Sequence, residues 1–245
     1  RIDETLVGTM AEYVVSNEID TALMPKNLSY SEAASIPLAG LTAYQSLIEV
    51  AKLSSKENIL IHAGAGGVGT IAIQLAKHLG AMVTATTSTK NIELVRSLGA
   101  DKVIDYTKEN YLDGPSKFDV VYDTLGGKFT LDSFKILGYG GRVISIAGEL
   151  DSITAKQLGL NKIISFILAL KARKITKKAS KMNASYRFLL MVPNGAQLKK
   201  LAAFYESGSI KPVIDKIYGY DSSIQALEYL SKGRAKGKVI VNLID

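Results

Sequence analysis

The stretch Asn58-Ile59-Leu60-Ile61-His62-Ala63-Gly64-Ala65-Gly66-Gly67-Val68-Gly69 decides how the rest of the chain is read. Its first half is a short apolar run with the composition of a buried β-strand. After the glycines, Thr70 to Leu79 places Ile71, Leu75 and either Ile73 or Ala76 on one face of a 3.6-residue period, which predicts a helix. Gly64, Gly66 and Gly69 therefore form G-x-G-x-x-G between a strand and a helix. The first Gly permits the tight turn, the second lets backbone approach a pyrophosphate, and the third allows close helix–strand packing. The helix N-terminus adds free N–H groups and a partial positive charge. Glycines also cluster in ordinary turns, so a purely structural turn or another nucleotide-like ligand stays open. The strand–turn–helix setting favours a dinucleotide.

Working outward, β-rich runs and helical stretches alternate up to residue 191. Met82–Thr87, Lys102–Tyr106, Phe118–Asp123 and Gly141–Gly148 read as strands, with helices over Asn91–Leu98 and Phe129–Leu137. Tyr186–Met191 reads as a sixth strand at a sheet edge. Continuous apolar strands alternating with helices predict an α/β fold, a doubly wound parallel sheet of six strands covered on both faces. The flanks differ. Ala11-Glu12-Tyr13-Val14-Val15 reads as a strand with no crossover helix after it, while Val213–Tyr218 and Lys238–Leu243 are strands around a helix over Ser222–Ser231. These ends are expected to meet in a smaller β-rich module.

The end of the second strand bears on the choice of dinucleotide. A site for NAD places Asp or Glu about 20 residues beyond the turn, on the ribose 2′-OH. Here the window reads Thr86-Thr87-Ser88-Thr89-Lys90, with no acid until Glu93. Hydroxyls and a Lys suit a 2′-phosphate, so NADP(H) is the expected cofactor; Ser88 and Thr89 could also cap the next helix. The missing acid counts equally against a methyltransferase. Gly126-Gly127-Lys128-Phe129-Thr130 fails the P-loop spacing, because the hydroxyl residue should follow the Lys directly. None of the 12 tyrosines is followed four positions on by Lys, so the Tyr/Lys relay of short-chain reductases is absent. His62 reads as a strand-end residue tied by a hydrogen bond and His78 as an exposed helix residue. No catalytic residue is assigned.

Composition narrows the class further. The chain has 245 residues, 47% of them hydrophobic and 22% charged, with no Cys, which excludes a disulfide scaffold, a thiolate nucleophile and cysteine-built zinc sites. No metal site is expected. No run approaches the ~18–20 apolar residues of a spanning helix, and Arg1-Ile2-Asp3-Glu4-Thr5 has no apolar signal-peptide core, so a cytoplasmic protein is expected. The net charge is +7, and residues 151–185 carry eight Lys or Arg against one acid, Asp151. The whole excess sits there, a local feature that does not suggest nucleic-acid binding. Within it, Ile163-Ile164-Ser165-Phe166-Ile167-Leu168-Ala169-Leu170 precedes Lys171, Arg173, Lys174, Lys177 and Lys178. An apolar helix beside a cationic tract can sit on anionic lipid. The favoured alternative is an insertion between the fifth and sixth strands that lids a cleft or packs at a dimer contact, its cations in water.

Several stretches together resemble the medium-chain dehydrogenase/reductase superfamily, in its zinc-free quinone oxidoreductase (zeta-crystallin-like) branch. They are Gly8-Thr9-Met10-Ala11-Glu12-Tyr13, Pro37-Leu38-Ala39-Gly40-Leu41-Thr42-Ala43-Tyr44, the glycine turn, Leu98-Gly99-Ala100-Asp101-Lys102-Val103-Ile104-Asp105-Tyr106, Tyr122-Asp123-Thr124-Leu125-Gly126-Gly127 and Gly233-Arg234-Ala235-Lys236-Gly237-Lys238-Val239. The resemblance implies an NADPH-dependent oxidoreductase: residues 1–36 as the remainder of a GroES-like catalytic domain, 37–207 as a coenzyme domain with a basic helical insertion at 149–185, and 208–245 as the return to the catalytic domain. It implies Thr42 near the nicotinamide and the amides of Gly66, Gly67 and Val68 on the pyrophosphate. Ser88, Lys90 and Tyr106 would surround the 2′-phosphate end. Leu125, Ala147 and Gly148 would border the nicotinamide, and Arg234 would close over the coenzyme.

Two departures matter. Leu38 stands where zinc-dependent relatives carry a metal-binding Cys, and an aliphatic side chain cannot coordinate zinc. The first part of the GroES-like domain is also missing, so the chain is expected to be a fragment or a naturally short protein. The expected chemistry is direct hydride delivery to a quinone, or to the activated C=C of an enone or enal, with a proton from solvent. A homodimer through the sixth-strand edge is expected, because an exposed edge is usually paired or covered. The alternatives are a non-catalytic NADPH-binding protein and a membrane- or partner-binding protein acting through segment 156–181.

Overall fold

A computed structural model describes residues 8–114 and 117–243. In chain order its elements are α1 (Tyr30–Ala34), α2 (Pro37–Tyr44), β1 (Asn58–Ile61), α3 (Gly69–His78), β2 (Met82–Thr87), α4 (Ile92–Ser97), β3 (Lys102–Asp105) and β4 (Phe118–Asp123). They continue with α5 (Lys128–Ile136), β5 (Leu137–Ser145), α6 (Ser152–Gln157), α7 (Lys162–Lys181), β6 (Ser185–Phe188), α8 (Gly195–Glu206), β7 (Ile214–Gly219), α9 (Ser223–Ser231) and β8 (Lys238–Asn242).

Strands β1 to β6 form one sheet in the order β3-β2-β1-β4-β5-β6, every pair parallel. The order reverses between β1 and β4, and in such sheets ligands bind at that switch point, beyond the carboxyl ends of the strands. Period-2 alternation divides the core between two faces. Ile59 and Ile61 of β1 pack with α2, α3 and Leu201 of α8, whereas Leu60 joins Val121, Phe134, Val143 and Ile175 on the other side. A strand buried on both faces cannot alternate with polar residues, which is why the β1 run is continuously apolar.

Several expected boundaries move for identifiable reasons. The expected fifth strand, Gly141–Gly148, begins earlier, at Leu137, and stops at Ser145, because the Ser145 hydroxyl takes the amides of Ala147 and Gly148 at 3.3 and 2.8 Å. Strand β6 covers Ser185–Phe188 and not Tyr186–Met191. It lies at the sheet edge as expected.

The segment from 149 to 185 holds α6 and α7 and itself makes the crossover from β5 to β6. Asp151 and Asn161 cap the two helices by accepting the amides of Thr154 and Ile164 at 2.7 and 2.9 Å.

At the ends, β7 and β8 pair parallel around α9 as a separate two-stranded sheet. The expected strand at Ala11–Val15 does not form. Tyr13 and Val15 are 90% and 88% exposed, and no neighbouring strand among the described residues offers them a ladder. An extended segment without a partner leaves its backbone groups to water.

Candidate functional site

The glycine turn is built as its spacing predicts. After β1, the Gly64 amide donates to the Thr86 carbonyl at 2.9 Å and the Gly66 amide to Ala63 O at 2.9 Å. The Thr70 amide then donates to Gly66 O at 3.0 Å as α3 begins. A Cβ on Gly69 would collide with the Ala63 carbonyl oxygen and lie 2.9 Å from the Gly64 Cα, so only Gly lets the helix start this close to the strand. On Gly64 a Cβ would lie 3.0 Å from the Ala85 Cβ, beneath the turn. Gly66 is freer: its nearest neighbour would be Ala63 O at 3.2 Å. Gly67 is covered by the stem of Lys238, whose ammonium burial pushes below the usual lysine range. Val68 leads into α3, which has no acid in its first turn and no side-chain cap. The helix start therefore keeps its positive character.

The turn forms one side of a cleft of about 450 Å³ whose other walls come from far along the chain. Gly66, Ser88, Lys90, Tyr106 and Arg234 all line it, together with Ala63, Ala65, Thr87, Asn91, Gly233 and Ala235. Lys90 and Arg234 are cationic, and no carboxylate belongs to the lining. The Ser88 hydroxyl makes no helix-capping bond among the described residues and accepts the Asn91 side-chain amide at 3.4 Å. Tyr106 is 60% exposed just beyond β3, its amide held by Thr87 O at 3.0 Å.

Asp105 fixes this corner, a role invisible in the sequence. It accepts the Thr89 hydroxyl at 2.6 Å and the Thr107 hydroxyl at 2.7 Å, tying the turn that carries Lys90 to the end of β3, just before Tyr106. Those hydroxyls, Thr89 first, hold its carboxyl below the usual range, so it accepts as a carboxylate.

Arg234 reaches the cleft through a latch. The Gly237 amide donates to Ala65 O at 2.8 Å, and Gly66 and Gly237 form an isolated parallel bridge. Gly237 has φ +69° and a Cβ there would strike the Val213 carbonyl, so the latch requires Gly. Asp215 accepts the Lys236 amide at 3.0 Å and steadies the same loop.

The remaining candidate residues lie outside this cleft. Thr42 is buried in α2 with its hydroxyl donated to Leu38 O at 2.6 Å. Leu125, Ala147 and Gly148 follow β4 and β5, and their loops are tied together by Asp123. This fully buried carboxylate accepts the amides of Leu125 and Gly126 at 3.0 and 2.9 Å and the hydroxyls of Thr130 and Ser145 at 2.5 and 2.9 Å. Gly148 faces inward, where a Cβ would lie 2.6 Å from the Tyr186 hydroxyl.

His62 is buried beside Thr86, with Nδ1 3.2 Å from its hydroxyl. Burial depresses its pKa to about 4 against the opposing pull of Asp123, leaving a neutral imidazole at pH 7. His78 is exposed on α3. A larger apolar hollow of about 950 Å³, between the N-terminal segment and β8, contains none of the candidate site residues.

A doubly wound sheet with a glycine turn at its switch point defines a class, the nucleotide-binding α/β domains. Comparison with known proteins narrows it. A family described as zinc-binding dehydrogenase matches residues 98–241, and the chain belongs to that family. It is 42% identical over 242 residues to a 2-methylene-furan-3-one reductase of Solanum lycopersicum, covering 97% of this chain and 53% of that protein. It is 38% identical to a chloroplastic NADPH-dependent alkenal/one oxidoreductase of Arabidopsis thaliana, over 96% of this chain and 53% of the relative. Among solved structures, a quinone oxidoreductase from Coxiella burnetii superposes with a TM-score of 0.74 at 30% identity, over 89% of this chain and 62% of the other. The medium-chain resemblance read from the sequence is thus borne out. The chain spans about half the length of the curated relatives it matches.

The family's name implies zinc, and the residues present do not fit it. Among the described residues no three His, Cys, Asp or Glu side chains gather as a metal site, and Leu38 is an aliphatic residue.

Proposed function

We propose that the protein is a zinc-independent, NADPH-dependent reductase that delivers hydride to a quinone or to the activated C=C of an enone or enal. One observation carries this reading: the glycine turn, Ser88, Lys90, Tyr106 and Arg234 converge on one cleft whose lining holds two cations and no carboxylate. A 2′-phosphate fits such a corner, whereas a 2′-hydroxyl would call for an acid. The names of the tomato and Arabidopsis relatives support the same acceptor class.

In this reading the amides of Gly66, Gly67 and Val68, at the start of α3, hold the pyrophosphate. Ser88, Lys90 and Tyr106 hold the 2′-phosphate, and Arg234 closes the cleft from the C-terminal latch. Leu125, Ala147 and Gly148, on loops that Asp123 fixes, border the nicotinamide, with Thr42 on α2 beside it. NADPH supplies the hydride when bound. Quinones and enones are already electron-poor, so orientation supplies much of the catalysis. His62 is neutral and sealed in the core, and His78 lies on α3 outside the cleft lining, so neither imidazole serves as acid and the proton comes from solvent. The 1–36, 37–207 and 208–245 divisions stand as the catalytic, coenzyme and returning catalytic segments, in a cytoplasmic homodimer paired through the open edge of β6.

The test is coenzyme consumption with a quinone, an enone and a simple ketone as acceptors. Turnover of the first two but not the ketone is expected. Coenzyme binding without turnover of any acceptor would favour the non-catalytic reading.

A further inference from the structure

The crossover helix α7 carries more than its connection requires. It has 20 residues, hence a length of about 30 Å. One side is spent on the core: Ala172, Ile175 and Ala179 are 2%, 4% and 6% exposed, the latter two packed beneath with α5 and β6 side chains. The opposite side is a single stripe at i, i+3, i+4, i+7 spacing that changes chemistry halfway. Its first half is Ile163, Phe166, Ile167 and Leu170, exposed by 73%, 66%, 49% and 50%. Its second half is Arg173, Lys174, Lys177 and Lys181, all exposed. The helix contains no acid, and no ion pair to these four cations occurs among the described residues.

Because the far side is anchored, the helix cannot roll to bury the apolar half. The bare side chains, with Ile164 at 43%, expose on the order of 500 Å², a contiguous patch of the size that in a monomer is often an interaction site. A standard interface needs roughly 800 Å² from each partner, and a second copy would bring another block of cations to the same place. An anionic lipid surface answers both halves of the stripe. Apolar side chains enter the acyl boundary while the cations stay at the phosphate level.

We propose that α7 docks the protein peripherally on anionic phospholipid, Ile163, Phe166, Ile167 and Leu170 inserting and Arg173, Lys174, Lys177 and Lys181 holding the headgroups. No helix of the described residues is long and apolar enough to span a bilayer, so the contact is interfacial. The proposal does not depend on the reductase reading.

The chain has no Trp, so Phe166→Trp gives a unique fluorescent reporter at an exposed position that tolerates the larger ring. Vesicles of phosphatidylcholine with and without phosphatidylserine are the probes. At low salt the emission should shift to the blue with phosphatidylserine vesicles, stay unchanged with pure phosphatidylcholine, and return on adding salt. Lys174→Gln with Lys177→Gln should weaken the binding by roughly 25-fold. Leu170→Trp, one turn along the stripe, should report the same if the first reporter perturbs the helix.

Four results would overturn the proposal. They are no shift with anionic vesicles at low salt, an equal shift with neutral vesicles, a blue-shifted emission without lipid at every protein concentration, and a shift that grows with protein concentration alone. The last two would mean that the chain itself or a second copy covers the stripe.

Discussion

The sheet and the chain ends treat the same kinds of residue in opposite ways. Ile59, Leu60 and Ile61 of β1 are fully buried, whereas Leu23, Ile224 and Leu227 of the end segments are 92%, 70% and 61% exposed. Apolar side chains in a βαβ array find partners supplied by the next element along the chain. Those at the ends depend on partners that local sequence does not supply. Apart from the exposed stripe of α7, the sheet region is thus a closed unit and the end module an open one, and the candidate cleft lies at their junction, where Gly237 latches onto Ala65.

The comparison can be broken most severely at Gly69. In the Gly69→Val variant the side chain meets backbone on both sides of the turn, so urea unfolding should show a loss of more than about 3 kcal/mol. A loss below 1 kcal/mol would mean the turn is not held as described.

A second, smaller effect comes from His62, also in the closed region. Its folded pKa of about 4 lies below the unfolded value, so the unfolded chain binds the extra proton between these values. Stability should therefore fall as pH drops from about 7 to 5, by about 2 kcal/mol from this group alone. Urea midpoints for the wild type and His62→Gln check it; parallel pH profiles would refute the assignment.

At the junction, Arg234→Ala should weaken NADPH binding about tenfold, the loss of one charge-assisted contact. It should leave thermal stability nearly unchanged, since the latch itself is made by backbone. In the open module the effect should be smallest. Ile224→Ser removes an exposed side chain and should shift stability by no more than about 0.5 kcal/mol. A larger loss would show that a partner covers α9 in solution.

The sequence made the closed region legible because its signals are local. The continuous apolar runs of β1 and β4, the glycine spacing and the period of α3 each lie within about ten residues. The side chains at the cationic corner of the cleft were legible too, since Ser88 and Lys90 follow β2 directly. What the sequence hid was non-local. Ala11–Val15 has a strand's composition but no partner strand among the described residues. Gly237 gives no sign that it bridges to Gly66. Asp105 and Asp123 are single acids whose roles exist only once two or three loops are brought to them, and the stop of β5 at Ser145 depends on one such hydroxyl. Likewise the basic segment read as an insertion, yet it makes the crossover to β6, and only the buried faces of Ala172, Ile175 and Ala179 reveal that one side of α7 belongs to the core.

The most direct test of the central claim is a calorimetric titration of the protein with NADPH and, in parallel, NADH, repeated with Lys90→Ala. The account predicts NADPH binding at least tenfold tighter than NADH, with that preference largely lost in Lys90→Ala while NADH binding is little changed. Equal affinities for the two coenzymes in the wild type, or a preference that survives the substitution, would contradict the assignment of this corner to a 2′-phosphate.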